Sequence, residues 1–296
     1  MIGGFYNWHL AFEGEFKRYN PKVESELEKY DILFVGLSRP ELEGALITRL
    51  RNKIGPNSKT KIVVCIDYAI ELWQDTFQYF LLQKELVQAD LIFTSEPMMN
   101  SWVSALINDD SKVHHIVHPS NLDAIRHYAK PYEERTMEIA SILHRYDNYW
   151  TPLWLATKDL PYNNTVVLLD PNVEIKILPY FAFTKHGFKF THYLDWVSRH
   201  KVVVDSYHRI HTYGRTAVDN ASLDLPTVGA DWTYSQKKIW PDLCVSAGDV
   251  WKQKKLIQKL MEEESFYFDC IEKAREAVQF YSYENRKNEL LNKLYN

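Results

Sequence analysis

Short apolar runs rich in β-branched residues recur along the chain, separated by longer stretches in which the apolar residues have helical spacing. This alternation is typical of parallel strands joined by helices. In the first half of the chain it predicts strands at Ile2–Tyr6, Asp31–Leu37, Lys61–Ile66, Ala89–Thr94 and His114–His118. It also predicts helices at Glu43–Ile54 and Leu72–Gln88, and a third that opens at Ser95–Pro97 and runs to Ile107.

A second series of the same kind begins after the polar segment Lys130–Arg135, which we interpret as an interdomain linker. Strands are predicted at Glu138–Leu143, Thr165–Asp170, Glu174–Tyr180, Lys201–Ser206 and Leu225–Gly229. The remainder, Asp249–Asn296, contains neither Gly nor Pro and predicts two or three helices.

The predicted fold class is therefore α/β, with two Rossmann-like, doubly wound domains that face each other across a cleft. We expect the first domain at residues 1–132 and the second at 133–280. The last segment, 281–296, is predicted to be a helix that packs back on the first domain, because Leu290, Leu291 and Leu294 would otherwise lack an apolar partner.

Composition excludes several classes of protein. The 296 residues are 46% hydrophobic, which is enough for a core in each domain, and no apolar run approaches the roughly 20 residues that span a bilayer. The three cysteines, Cys65, Cys244 and Cys270, form no Cys-x-x-Cys pair, so we expect no zinc site, no disulfide framework and a cytoplasmic location. A net charge of -4 makes nucleic acid an unlikely partner.

The stretch Lys201–Gly229 carries the clearest chemistry. It predicts a strand, a polar loop that includes Tyr213, and then Gly214, Arg215 and Thr216 at the start of a helix. Glycine there lets an anion approach the helix N-terminus, and an arginine adds a fork of donors for phosphate oxygens. Asp219 follows one turn later. The alternative is that Gly214 permits a turn, Arg215 is solvated and Asp219 is a surface carboxylate.

Dinucleotide-binding, P-loop, hydrolase and zinc-protease motifs are missing from the sequence. The stretch instead resembles the donor half-site of GT-B glycosyltransferases, the retaining group 1 or family 4-like enzymes that use nucleotide sugars. In that family two glutamates with seven residues between them frame a Gly-containing loop; here His211 and Asp219 occupy the two positions. The resemblance implies that Asp219 holds the donor ribose and that the backbone around Gly214, Arg215 and Thr216 holds the diphosphate. His211, in the place of the first glutamate, is by the same resemblance a catalytic candidate.

Two further segments extend the resemblance on the donor side. The strand EIASIL is followed by Arg145, at the place where the family has a diphosphate-binding arginine, while Trp150 stands where the family usually has a lysine. Gly3 and Gly4 are similar to the family's Gly-rich loop near the donor phosphates. The alternatives are a surface arginine at a strand end and a merely flexible chain start.

On the acceptor side, Asp67 follows the strand KIVVCI at the place where many members have a histidine facing the sugar. A carboxylate at the carboxyl end of a buried strand is a candidate base for the acceptor hydroxyl, although it could equally cap the next helix. His9, expected in the loop after the first strand, is a candidate acceptor contact.

Together these features predict a glycosyltransferase that needs no metal or other cofactor. It would move a sugar from a UDP- or GDP-linked donor to a glycan, a lipid-linked acceptor or another hydroxyl. The alternatives are a non-catalytic nucleotide- or glycan-binding protein of the same fold and a phage-type transferase that modifies DNA bases.

Overall fold

The computed structural model describes residues 4–15, 26–37, 45–67, 76–143, 150–168, 182–183, 189–205, 213–246 and 248–296. The chain divides into two compact units. The first unit consists of Gly3–Pro119 and Tyr283–Asn296, and the second contains Ser120–Ser282. No helix in the described ranges is long and apolar enough to cross a bilayer.

The first unit is built on a four-stranded parallel sheet with the order β1-β2-β3-β4. Its elements, in chain order, are α1 Gly4–Ala11, β1 Ile32–Leu37, α2 Leu46–Ile54, β2 Lys61–Ile66, α3 Thr76–Leu86, β3 Leu91–Thr94, α4 Pro97–Ile107 and β4 Val113–His115. The start of α4 agrees with its sequence: Pro97 is in the first turn, and the Glu96 side chain accepts a hydrogen bond from the Met99 amide at 3.1 Å.

The second unit has a six-stranded parallel sheet with the order β10-β9-β8-β5-β6-β7. Its elements are α5 Leu122–Arg126, β5 Thr136–Leu143, α6 Trp150–Thr157, β6 Asn163–Leu168, β7 Ala182–Phe183, α7 Phe190–Val197, β8 His200–Asp205, α8 Arg215–Ser222, β9 Thr227–Ala230, α9 Tyr234–Ile239, β10 Cys244–Val245, α10 Val250–Glu262 and α11 Glu264–Val278. A last helix, α12 Tyr283–Tyr295, belongs to the first unit.

Both faces of the first sheet are covered. Successive residues of β2 point to opposite faces, so that Ile62 and Val64 pack with α2, α3 and α4, whereas Val63 and Cys65 pack in a separate cluster. That second cluster contains Trp8 of α1 and Leu290 of α12, and both are almost completely buried. The two ends of the chain therefore close the same face of one sheet.

The predicted strand at Ile2–Tyr6 is wrong, because Gly4–Ala11 is helical. Trp8 and Ala11, three residues apart, both point into the core, which is a helical and not a strand spacing. Strands β7 and β10 were not predicted, since each has only two residues. The predicted strand Glu174–Tyr180 lies outside the described residues.

The segment interpreted as a linker is a packed part of the second unit. Arg135 is only 6% exposed, and its guanidinium donates to the carbonyl oxygens of Lys130, Leu223 and Asp224 and to the hydroxyl of Tyr267. The chain passes between the units at Pro119–Ser120 and at Ser282–Tyr283, whereas the prediction placed these points after residues 132 and 280.

Candidate functional site

The second unit presents a helix N-terminus beyond the carboxyl end of β8. Helix α8 begins at Arg215, as the sequence predicts, and Gly214 precedes it in the left-handed conformation, with φ 80° and ψ 61°. A Cβ atom on Gly214 would lie 2.1 Å from Thr233 Cγ2. Glycine is therefore required twice, by the backbone conformation and by the close approach of Thr233.

Asp219 lies on the first turns of α8 and is buried, with only 4% of its side chain exposed. Arg215 Nε donates to Asp219 Oδ2 at 3.2 Å. The other carboxylate oxygen, Oδ1, is buried and has no hydrogen-bond partner among the residues that the structure describes. The alternative of a surface carboxylate is thus wrong, and Asp219 presents an acceptor that a ligand hydroxyl could satisfy.

Burial and the charge of Arg215 have opposite effects on the pKa of the Asp219 carboxyl group. Burial raises the pKa of Asp219, and the adjacent Arg215 guanidinium partly offsets that rise. The guanidinium carbon of Arg215 lies 4.7 Å from the centre of the Phe190 ring, which holds it in place from the other side. The Arg215 side chain is 21% exposed and contacts both Phe190 and Asp219, so the alternative of an arginine held only by solvent is wrong.

The remaining donor-site candidates differ in placement. Tyr213 is 7% exposed and packs near the ring of Tyr281, while its carbonyl oxygen accepts a hydrogen bond from the Ser235 amide. Thr216 is buried in the first turn of α8. Gly3, Arg145 and His211 lie outside the described residues, so their roles stay predictions.

Two expectations at the start of the chain are corrected. Gly4 is the first residue of α1 and does not belong to a loop after a strand. His9 lies in the same helix, half-buried, and not in a loop. The sequence placed both beside a strand because the apolar residues of GFYNWHL also suit a short β run.

In the first unit, three polar side chains meet where neighbouring parallel strands end. Asp67 directly follows β2, Ser95 directly follows β3, and His118 lies three residues beyond β4. The Ser95 hydroxyl donates to Asp67 Oδ1 at 3.1 Å, and His118 Nε2 lies 3.0 Å from the same oxygen. The Asp67 side chain is 37% exposed, so a ligand can reach it.

His118 is the residue here that the sequence did not identify as functional. It is 1% exposed, and the Trp8 indole Nε1 donates to its Nδ1 at 3.1 Å. Trp8 and His118 are 110 positions apart, so no local pattern could have joined them. Within the described residues, no group of three or more His, Cys, Asp or Glu side chains could hold a metal ion.

No family model and no curated protein sequence matches the chain. Solved structures do match. An α-glucosyltransferase in complex with UDP-glucose and DNA containing an abasic site aligns over 93% of this chain and 83% of its own, with a TM-score of 0.70 and 14% identity.

Two further structures agree with the first. HepE of Anabaena, in complex with UDP and glucose, aligns over 92% of this chain and 80% of its own, with a TM-score of 0.70 and 10% identity. A TarM variant of S. aureus, in complex with Fondaparinux, alpha-GlcNAc-glycerol and UDP, aligns over 93% of this chain and 58% of its own, with a TM-score of 0.65 and 14% identity. The fold is GT-B. At these identities the likeness establishes the GT-B architecture, and the reaction has to be argued from the residues.

Proposed function

We propose that the chain is a glycosyltransferase that moves a sugar from a nucleoside diphosphate sugar to an acceptor hydroxyl, with no metal ion or other cofactor. The observation that carries the proposal is Asp219, a buried carboxylate one turn after the start of α8. The structural neighbours were solved with UDP or UDP-glucose, which favours a UDP-linked donor over a GDP-linked one.

The donor ribose is the natural partner of Asp219. Leaving a buried polar atom without a hydrogen bond costs about 1–3 kcal/mol, and Oδ1 is such an atom among the described residues. A ribose hydroxyl would donate to it and recover that energy. Arg215 opposes the effect of burial on the pKa of Asp219 and orients its carboxyl group, so its part in the site is to support Asp219.

The diphosphate fits the helix N-terminus beside it. The first amides of an α-helix have no partner within the helix, and the helix dipole favours an anion there. Gly214 directly precedes those amides in the left-handed conformation, and Thr233 fills the space that a Cβ atom would take. Such donors can stabilise the departing nucleoside diphosphate electrostatically, which is why no metal is needed in this proposal. Arg145 and His211 would complete the donor site.

The acceptor side of the proposal rests on Asp67. The acceptor oxygen attacks C1 of the sugar, the bond from C1 to the diphosphate oxygen breaks, and the acceptor proton passes to the Asp67 carboxylate. A carboxylate that is partly exposed and held by Ser95 at the carboxyl ends of parallel strands is placed as such bases commonly are.

A glycan or lipid-linked hydroxyl is the acceptor that we favour. The TarM complex supports it, because that neighbour was solved with sugar ligands. DNA is the second candidate, since the α-glucosyltransferase was solved with DNA. A net charge of -4 describes the whole chain and says nothing about one face, so it does not remove this candidate.

Calorimetry with UDP and GDP tests the donor site. In Asp219→Asn the affinity for UDP should fall about tenfold to hundredfold, because a hydrogen bond to a charged group is lost. Asp195→Asn is the matched control, since Asp195 lies in the same unit but pairs with Arg199 at the surface. Equal UDP affinity in the two variants would remove Asp219 from the site.

A measurement of UDP release distinguishes a glycosyltransferase from a non-catalytic nucleotide-binding protein of the same fold. We expect UDP release from UDP-glucose to increase on addition of a glycan or lipid-linked acceptor, or of duplex DNA that carries hydroxymethylated bases. Tight UDP binding without release across all of these acceptors would support the non-catalytic alternative instead.

A further inference from the structure

The environment of His118 determines which of its ring nitrogens carries a proton. An indole Nε1–H can only donate, so Nδ1 of His118 must accept from Trp8 across their 3.1 Å contact. A neutral imidazole then carries its proton on Nε2, the nitrogen that lies 3.0 Å from Asp67 Oδ1. A doubly protonated ring would set an Nδ1–H against the indole N–H.

The arrangement also fixes Asp67. His118 and Ser95 both address the same oxygen, Oδ1, from the ends of two different strands. The Ser95 contact is a hydrogen bond, whereas His118 Nε2 lies close to Oδ1 without hydrogen-bond geometry among the described residues, so its contact is electrostatic. Both side chains are buried, at 1% and 4% exposed, and together they restrain a carboxyl group that is itself 37% exposed. The ring of Trp8 is in turn held between Phe34 and Phe93, so the whole series is anchored in the core.

We propose that His118 is a positioning residue for Asp67: Trp8 holds it as the neutral Nε2–H tautomer, and the electrostatic contact between that N–H group and Oδ1, which lies 3.0 Å from Nε2, orients the Asp67 carboxylate toward the acceptor. The inference rests on the proposed function, because the role of Asp67 as base belongs to it. A histidine that serves only packing would also be buried, but it would not need a defined tautomer. Replacing such a histidine by a polar or by an apolar residue of similar size would then have the same effect on kcat.

Two substitutions separate positioning from packing. His118→Leu fills the space without polar atoms, whereas His118→Gln can accept from Trp8 through its oxygen and donate to Asp67 through its amide. We expect kcat for UDP release from UDP-glucose to fall about tenfold to hundredfold in His118→Leu, a loss of the size seen when a residue that orients a metal ligand is removed. His118→Gln should recover most of that loss, and KM for the donor should stay within about twofold in both.

His200→Leu is the matched control for losing a buried histidine. His200 is 4% exposed and contacts the Trp196 ring, but it lies at the amino end of β8, away from the strand ends that carry the site. The kcat of His200→Leu should match that of the wild type. Equal kcat in wild type and His118→Leu, both folded, would overturn the inference, and so would an equal loss in the Gln and Leu variants.

Nitrogen-15 NMR of histidine-labelled protein provides a readout that needs no activity. Among the 11 histidines, the His118 signals are those that His118→Gln removes. We expect one neutral tautomer with the proton on Nε2 at neutral pH. An Nδ1–H tautomer or an imidazolium would overturn the inference while UDP binding stays intact. Failure of the wild type to bind UDP would instead overturn the proposed function, with the tautomer unaffected.

Discussion

The proposed function relies on one carboxylate from each unit, Asp67 and Asp219, and the two differ in exposure and in their partners. Asp67 is 37% exposed and is approached by the side chains of Ser95 and His118. Asp219 is 4% exposed and is paired with the cationic Arg215. An exposed carboxylate can take up a proton from a reacting group, whereas a buried and charge-paired one is suited to holding a ligand in a fixed place.

The units also differ in how the chain assembles them. The second unit contains an unbroken stretch of chain, Ser120–Ser282. The first unit needs both ends of the chain, because α1 and α12 together cover one face of its sheet. We therefore expect substitution of Asp67 to lower the rate of transfer and substitution of Asp219 to weaken UDP binding. Substitutions in α12 should lower the stability of the first unit.

The largest effect is expected at Asp67. Asp67→Asn keeps the shape of the side chain but removes its basicity, so kcat for transfer should fall about 10²- to 10⁴-fold, the usual contribution of a general base. UDP affinity, measured by calorimetry, should equal that of the wild type, since the donor site lies in the other unit. A loss of UDP affinity as large as that in Asp219→Asn would end the division of roles.

A smaller effect is expected at Leu290, which is fully buried against Trp8 and Phe93. Leu290→Ala should lower the free energy of unfolding by about 2–5 kcal/mol, through lost burial and the cavity left behind. Urea denaturation followed by fluorescence measures it. Asn288→Ala, at an exposed position of the same helix, controls for the change in helix sequence. Equal stabilities would mean that α12 contributes little to the first unit.

The parts of the fold that the sequence predicted are those with strong local signals. Strand β2 was predicted because six consecutive residues, KIVVCI, are almost all apolar, and α4 because Glu96 and Pro97 mark its start. The first turn of α8 was predicted through Gly214, whose conformation only glycine adopts easily.

The parts that were missed depend on distant residues. Helix α1 was taken for a strand, because its burial is decided by packing against β3 and α12, and not by its own pattern. The burial of Asp219 and its pairing with Arg215 required the folded helix. His118 was missed because its partners, Trp8 and Asp67, come from elements far away in the chain. Tertiary contacts of this kind leave no spacing to recognise.

The smallest expected effect is a change in the pH dependence of stability, which comes from the ionisation of Asp219. Burial raises the pKa of Asp219 above its ordinary value of 3.8, despite the opposing effect of Arg215. The folded protein therefore keeps this proton to a higher pH than the unfolded chain does, so the free energy of unfolding falls as the pH rises from about 4 through the folded pKa. Asp219→Asn removes the contribution, because asparagine does not titrate.

Urea denaturation at about pH 4, 5.5 and 7 would measure this effect as the difference between wild type and Asp219→Asn. The wild type should lose stability relative to the variant as the pH rises, since the cost of the buried charge is felt only when Asp219 is ionised. Asp195→Asn, at the surface of the same unit, corrects for the loss of a carboxylate as such. A difference that does not change with pH would mean that Asp219 is solvated, and the contrast with Asp67 would then fail.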